Sequence, residues 1–427
     1  MGKALTGLGA HNTGCSFDTG TTVNSVDVGG GWFHKGTYTN QMWLDGQYMG
    51  PALLAQLIND YSEYSSIAGS VDADWDLIAK QFTIVWNMCW DESAELLYHA
   101  FSSEKNNTWA GDAEIWTTRG TDTSNWTGLS SGGHSAALWG RAEGWYFLAL
   151  VDVLEQMPET NANYATLKGY LDKLAAGIKK RQNTTNGCWY QLIGKAAGYS
   201  AQYYNGKSYT AKSNYPESSC TAIFTAAYLK AMRLGLLDRA TYEETAKSGY
   251  KGLVETFLKQ KDDGTVVLYG CSRSAGLGTT AVGKEKFRDG SNAYYLLGYD
   301  VTPTPEKTEE PNTVVKEPAY TEGKVLGAFI LAATEYERQY TNVTNKLVKI
   351  GTDLPSTAEE NTPLKVVVAD AENSNVAYQW YKGTYNNSTA ITEATSAEYT
   401  PAEAGTYYCK TTVTSNVTRR TDSYSLM

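Results

Sequence analysis

The sequence predicts a mainly α-helical toroid of paired helices followed by a small all-β sandwich. Three observations carry this. Apolar residues recur at helical spacing in seven segments. The connections between them are rich in Gly and Asn, with Trp and His among them. Beyond about Leu347 the pattern changes to short strand-like runs separated by turn residues.

The first 30 residues are rich in Gly, Thr, Ser and Asn without a period, and are expected to be irregular. Helices are expected over roughly 51–65, 73–90, 136–157, 163–181, 217–235, 239–259 and 322–339. The helix around Trp139 is the clearest. Its apolar residues fall at 138, 142, 145, 146, 149, 150, 153, 154 and 157, and Pro158 marks its end. Arg141 and Trp145 are four apart and share one face near its start, beside Gly140 and Gly144. A guanidinium and an indole so placed suit a carboxylate and the apolar face of a sugar ring; equally, Arg141 can pair with a structural acid and Trp145 can be core. Short strands are expected at 187–193 and 265–269, and the Pro- and Glu-rich stretch 301–320 as a solvated loop.

After the helical region come the strand candidates 364–369, 376–381 and 405–413. Trp380, followed by Ala404-Gly405-Thr406-Tyr407-Tyr408-Cys409, resembles an immunoglobulin-like sandwich, with Trp380 as core Trp and Tyr407 as corner tyrosine. Val366–Val368 occupy the position of a bridging cysteine, so Cys409 is expected to be a buried thiol without a partner. The expected organisation is an irregular segment 1–30, a helical domain 31–345 and a β-sandwich 350–427.

Composition narrows the function. The 427 residues hold 42% hydrophobic and 19% charged residues, which are globular values. The net charge of −10 carries no basic run, which argues against a nucleic-acid partner. An acidic protein that takes an anionic ligand must use a few local cations. The 31 Tyr and 12 Trp fit a sugar-binding cleft. The six cysteines form no CxxC pair and the four histidines are scattered, so neither a metal site nor a cofactor is expected. No apolar run is long enough for a membrane span, and the first ten residues lack the apolar core of a signal peptide.

Five segments, in order, carry a family resemblance. They are Gly30-Gly31-Trp32-Phe33-His34-Lys35 with Gln41-Met42-Trp43-Leu44-Asp45-Gly46-Gln47-Tyr48-Met49; Leu97-Tyr98-His99-Ala100; the Trp139–Trp145 turn; Asn214-Tyr215-Pro216-Glu217-Ser218-Ser219-Cys220 with Arg233-Leu234-Gly235-Leu236-Leu237-Asp238; and Arg288-Asp289-Gly290-Ser291 with Gly327-Ala328-Phe329. Together they resemble the unsaturated rhamnogalacturonyl hydrolases of glycoside hydrolase family 105 and the related unsaturated glucuronyl hydrolases of family 88. The resemblance implies an (α/α)6 barrel. It also implies removal of a 4,5-unsaturated uronic acid from the non-reducing end of lyase-generated acidic oligosaccharides of the pectin or rhamnogalacturonan type. The chemistry is hydration of a vinyl ether. It needs a proton donor, a water held by a carboxylate and a clamp on the substrate carboxylate, and it does not depend on the carboxylate spacing of ordinary glycosidases.

Carried over, Asp45 matches one of the family's two active-site aspartates, Arg141 and Trp145 its substrate-binding pair, and His99 the His of its His-x-x-Asp motif. Trp43 and Trp109 are expected to line the cleft. The chain departs from the family where the proton-donating aspartate should stand: that position is Ser102, too weak an acid for the task. Glu104 is the expected substitute and Asp112 the runner-up; if neither serves, the chain is an impaired relative that binds carbohydrate. A lyase on a similar barrel would want a Tyr or His base that the sequence does not single out. Only 29 residues precede the Gly-Gly-Trp motif, so the ring is expected either to lack its first helices or to close differently. The appended β module favours an extracytoplasmic setting, and the oligomeric state is left open.

Overall fold

A computed structural model describes residues 15–36, 38–60, 70–103, 109, 133–204, 207–260, 266–272, 275–278, 288–297, 323–340, 350–352, 354, 358–359, 361–368, 374–384 and 387–415. The chain divides into two compact units, Met1–Tyr336 and Glu337–Met427.

Among the described residues of the first unit, the helices are α1 (Leu44–Met49), α2 (Pro51–Asp60), α3 (Val71–Cys89), α4 (Gly140–Gln156), α5 (Tyr164–Lys180), α6 (Ser218–Arg233), α7 (Arg239–Phe257), α8 (Asn292–Leu297) and α9 (Gly323–Tyr340). The seven expected helices are all present within a few residues of their expected bounds; α1 and α8, at six residues each, are too short to show a period. Local chemistry sets several starts. Ser70 accepts from the Ala73 N–H, Glu217 from Cys220 and Asp238 from Thr241, each a side-chain cap. Helix α4 ends where Met157 turns extended ahead of Pro158.

The helices form two layers. Helices α4 and α6 are buried nearly all round. Helix α5 buries only the stripe Leu167, Leu171, Leu174, Ala175 and Ile178, as an outer helix should. Helices α4 and α6 pack closely because of Gly140 and Gly144: a Cβ at 140 would lie 3.1 Å from Cys220, and one at 144 would lie 2.9 Å from Ile223. Both glycines, which the sequence sets beside Arg141 and Trp145, are used in helix packing. Further out, Lys230 bridges Asp152 and Glu155, and Arg233 clasps Glu335 of α9 at 2.8 Å.

Between the helices lie short sheets that the sequence signalled poorly. Gln41–Trp43 pairs antiparallel with Ala100–Ser102, which pairs in turn with Gly133–His134. Ser200–Tyr204 and Lys207–Ser213 form a hairpin that was not expected. The expected strand 265–269 is Val266–Leu268, paired with Leu258–Gln260. The stretch 187–193 is not a strand. It makes only isolated bridges, Trp139 to Leu192 and Tyr190 to Pro216, because Asn214 takes the hydrogen bonds of Leu192, accepting from its N–H and donating to its C=O. Residues 15–30, expected to be irregular, hold a small hairpin, Thr22–Val23 with Val26–Asp27, and bury Phe17, Val23 and Val28. The stretch 301–320 lies outside the described residues.

In the second unit, Ser374–Thr384 lies between Asn387–Ala390 and Tyr407–Ser415, and Leu364–Lys365 pairs with Glu398–Tyr399. Trp380 is fully buried against Leu364 and Val366, with Tyr399, Tyr407 and Cys409 around it. The Tyr407 hydroxyl donates to the Glu403 carbonyl, four residues upstream, at 2.8 Å. Cys409 forms no disulfide, but it is half-buried rather than fully buried as expected.

One core group has a clear pH consequence. Glu143 on α4 is completely buried; one carboxyl oxygen accepts from the Leu97 N–H at 2.7 Å and the other has no partner. Burial raises its pKa well above the ordinary value, so it folds as the neutral acid. Its contribution is complete at low pH and declines as pH rises above its unfolded value of about 4.3. Glu143→Gln is therefore expected to melt like the natural protein near pH 4 and at a higher temperature by pH 8, as thermal unfolding across that range will show.

Candidate active site

The site grows out of the sheet joining Gln41–Trp43 to Ala100–Ser102. Trp43 pairs with Ala100 and Gln41 with Ser102. The chain turns into α1 directly after Trp43, and the Leu44 N–H donates to the His99 carbonyl at 2.9 Å. This register sets Asp45, in the first turn, beside His99. Asp45 is not the helix cap; that position falls to Trp43, which makes no side-chain cap bond.

His99 is completely buried between two partners. Its Nε2 lies 3.0 Å from Asp45 Oδ2, and its Nδ1 lies 2.6 Å from the Tyr295 hydroxyl. Burial pushes the Tyr295 phenol well above its usual pKa, so it keeps its proton and donates to Nδ1. The Nε2–H is then left to donate to Asp45. Burial acts to raise the Asp45 carboxyl, but the His99 hydrogen bond and the nearby imidazoles outweigh it and hold the group below the ordinary carboxylate range. Its side chain keeps 13% of its surface exposed. Asp45 is thus an ionised acceptor that solvent can reach, suited to holding a water and unsuited to giving up a proton at neutral pH.

Aromatic rings wall this carboxylate. Trp43 stacks on His34 at 4.3 Å and on Tyr38 at 4.9 Å, and meets His99 edge-on at 5.2 Å. Burial lowers the His34 pKa to about 4, so its imidazole is neutral near pH 7. Trp43 also packs with Ala100, Trp109 and Leu277. Trp109 is buried and its indole N–H has no acceptor. Trp139 stacks with Tyr295 and lies 4.8 Å from His99.

The structure places the other expected residues as follows. Arg141 stands on the first turn of α4 with only 2% of its surface exposed. Its Nε donates to Ser219 Oγ at 2.7 Å; its Nη2 donates to Ser272 and lies 3.4 Å from Glu217 Oε1. The guanidinium also lies 5.2 Å from the Trp139 ring, and its charge is felt together with that of Asp45. Expected as a clamp, it lies buried with Nε and Nη2 bonded to the protein. Trp145, one turn on, is half-buried and meets Tyr48 of α1 at 4.8 Å. Ser102 is buried at the end of its strand, with 2% exposure. Glu104 and Asp112 lie outside the described residues. Sequence reasoning missed Tyr295 and Tyr38: neither carries a local signal, because what matters is their distance from His99 and Trp43 in space. No group of three or more His, Cys, Asp or Glu among the described residues is placed to hold a metal ion, and none of their helices is long and apolar enough to cross a membrane.

The model of Glycosyl Hydrolase Family 88 matches residues 21–340, which include every residue of this site. The chain belongs to that family. Protein Atu3128 of Agrobacterium fabrum is 30% identical over 237 residues, 55% of this chain and 85% of the relative. The 24.9 kDa protein in the picA locus of Rhizobium radiobacter matches to the same extent. Among solved structures, a family 105 glycoside hydrolase from C. acetobutylicum ATCC 824 is 32% identical with a TM-score of 0.53, over 72% of this chain and 68% of that one. The helical unit of this family 88 chain is accordingly an (α/α)6 barrel, and the protein is a glycoside hydrolase by family.

The buried Arg141–Glu217 pair carries a stability prediction. Removing one partner leaves a charge buried without its counterion, a loss of about 3–5 kcal/mol. Arg141→Met is expected to cost that much in urea unfolding, and the double variant Arg141→Met/Glu217→Met less than the sum of the two single changes.

Proposed function

We propose that the chain removes a 4,5-unsaturated uronic acid from the non-reducing end of lyase-generated acidic oligosaccharides of the pectin or rhamnogalacturonan type. One observation supports this most: Asp45, ionised and oriented by a buried His99, opens beside the Trp43 ring. In this reading the sugar ring lies at the rim of the Trp43 cluster, which Trp109 backs from inside, and Trp145 stands further along α4 against Tyr48. Asp45 accepts a hydrogen bond from a water and takes its proton as the oxygen adds to the ring carbon next to the ring oxygen. A general acid gives a proton to the other carbon of the double bond. The hydrate opens and the neighbouring sugar leaves. His99 touches no substrate atom; it fixes the Asp45 carboxylate and keeps it charged. Arg141 braces the floor beneath Trp139.

The acid must be a group other than Asp45, and Ser102 is too weak. Glu104, two residues beyond Ser102, is assigned this role. The other reading, a binding protein without turnover, is kept by the same Ser102 and is separated by the same experiment.

That experiment follows loss of the ultraviolet absorbance of the double bond in an unsaturated uronyl disaccharide. Asp45→Asn is expected to lower kcat by about 10²-fold or more, and Glu104→Gln by a similar factor. Untouched turnover in Glu104→Gln would remove Glu104 as the acid. Activity gained only in Ser102→Asp would mark the natural chain as an impaired enzyme. The pH profile gives a second check. Because Asp45 titrates below the ordinary carboxylate range, the acidic limb of kcat/KM is expected below about pH 3.9. His99→Phe, which removes the largest of the groups opposing burial, is expected to move that limb upward.

A further inference from the structure

Arg141 is buried with Nε and Nη2 bonded inside the protein, so a further cation is sought for the carboxylate of the substrate. A second set of polar groups gathers around Tyr38, beside Trp43. Tyr38 stacks on Trp43 at 4.9 Å and is half-buried. Arg288 Nη2 donates to the Tyr38 hydroxyl at 3.2 Å, and Lys35 Nζ sits 4.1 Å from the centre of the Tyr38 ring. The Tyr38 oxygen accepts from Arg288, so its own hydrogen is directed elsewhere. Neither Arg288 nor Lys35 makes an ion pair with a carboxylate among the described residues, whereas Lys230, Arg233 and Arg141 all do.

The cluster is also held in place. Arg288 Nε donates to the Gly278 carbonyl at 2.8 Å, while the Gly278 N–H donates to the Arg288 carbonyl at 2.9 Å. Tyr294 ties Gly276 by both its N–H and its carbonyl. Gly276 is there because the guanidinium needs the space: a Cβ at that position would lie 2.4 Å from Arg288 Nη1 and 3.6 Å from the Trp43 ring. A side chain so anchored has surrendered much of its rotamer freedom before any ligand arrives, which favours binding. The local potential is positive. Burial acts to raise the Tyr38 pKa, yet the hydrogen bond and charge of Arg288 and the charge of Lys35 bring it below its usual value.

We propose that Arg288 and Lys35, with the Tyr38 hydroxyl between them, receive the carboxylate of the terminal uronate and make the site selective for the free acid over its ester. The inference deepens the function proposed above and rests on it. The two unite in one arrangement: the ring lies at the rim of the aromatic cluster of Trp43 and Tyr38, its carboxylate toward Arg288 and Lys35 and its double bond toward Asp45. Arg288 offers the planar fork that matches a carboxylate, and Lys35 adds a point charge.

The test uses the full chain carrying Asp45→Asn, which allows binding to be measured without turnover. It is titrated with an unsaturated uronyl disaccharide and with the methyl ester of the same disaccharide, following tryptophan fluorescence. The free acid is expected to bind roughly ten- to a hundred-fold tighter than the ester, the range of a charge-assisted pair. Arg288→Gln is expected to erase most of that preference while leaving ester affinity nearly unchanged. Lys35→Gln is expected to erase part of it, and Arg288→Lys to restore part. Circular dichroism and thermal melting establish that each variant is folded, and Lys35→Gln serves if Arg288→Gln is not. Retention of the full preference in Arg288→Gln and Lys35→Gln would overturn the proposal, as would absence of any preference in the parent. Failure of the broader reading looks different: the natural chain would leave the double bond intact while an Arg288-dependent preference for the acid persisted.

Discussion

The contact between His99 and Asp45 is the constraint on which the site depends. It joins two segments that are 54 residues apart in sequence, and it forms because one backbone register leaves no alternative. With Trp43 opposite Ala100, the next residue after Trp43 must bond the carbonyl of His99, and Asp45 follows within one turn. The imidazole is then held from behind by Tyr295 on α8. A carboxylate in this much protein would ordinarily rise in pKa and lose its charge. One buried hydrogen-bond donor reverses that outcome, so the charge state of Asp45 is set by tertiary structure and not by its place on a six-residue helix.

The same economy explains Arg141. A buried guanidinium needs its charge balanced and its donors satisfied. Glu217, Ser219 and Ser272 do both, and Glu217 also caps α6 and accepts from the Ser272 N–H. One acid thereby joins α4, α6 and the 271–272 stretch. Sequence spacing sets Arg141 and Trp145 on one face of α4, which is correct. It does not say whether that face looks onto a ligand or onto a second helix. Glycines at 140 and 144 were equally ambiguous, and the close approach of Cys220 and Ile223 decides in favour of packing.

What was legible in the sequence follows from length and period. Helices of sixteen to nineteen residues, such as α3, α4, α6 and α7, repeat their apolar stripe often enough to be read. The two- and three-residue strands around Trp43 and Phe101 cannot show a period at all, yet they position the site. The stretch 187–193 has strand-like composition, but Asn214 supplies the hydrogen bonds a neighbouring strand would have made. Asp45, Trp43 and His99 were found through motif resemblance. Tyr38 and Tyr295 acquire meaning only from distances to those three, and Arg288, part of a family-like segment, from its bond to Tyr38.

An ionised Asp45 also fixes the division of labour around it. Hydration of an enol ether needs one group that gives a proton and one that receives it, and the two must differ in pKa at the same pH. In the proposed reaction Asp45, drawn below the ordinary carboxylate range, is the receiver. A hydroxyl such as Ser102 cannot be the giver. In the proposed reaction the giver would be a carboxyl group kept protonated by burial or by a neighbouring negative charge, and a uronate would supply such a charge itself. A uronate bound without compensation would raise the pKa of every acid near it. In the proposed arrangement Arg288 and Lys35 would offset that charge, so the protonation of the acid would rest on its own burial and on the negative charge of Asp45.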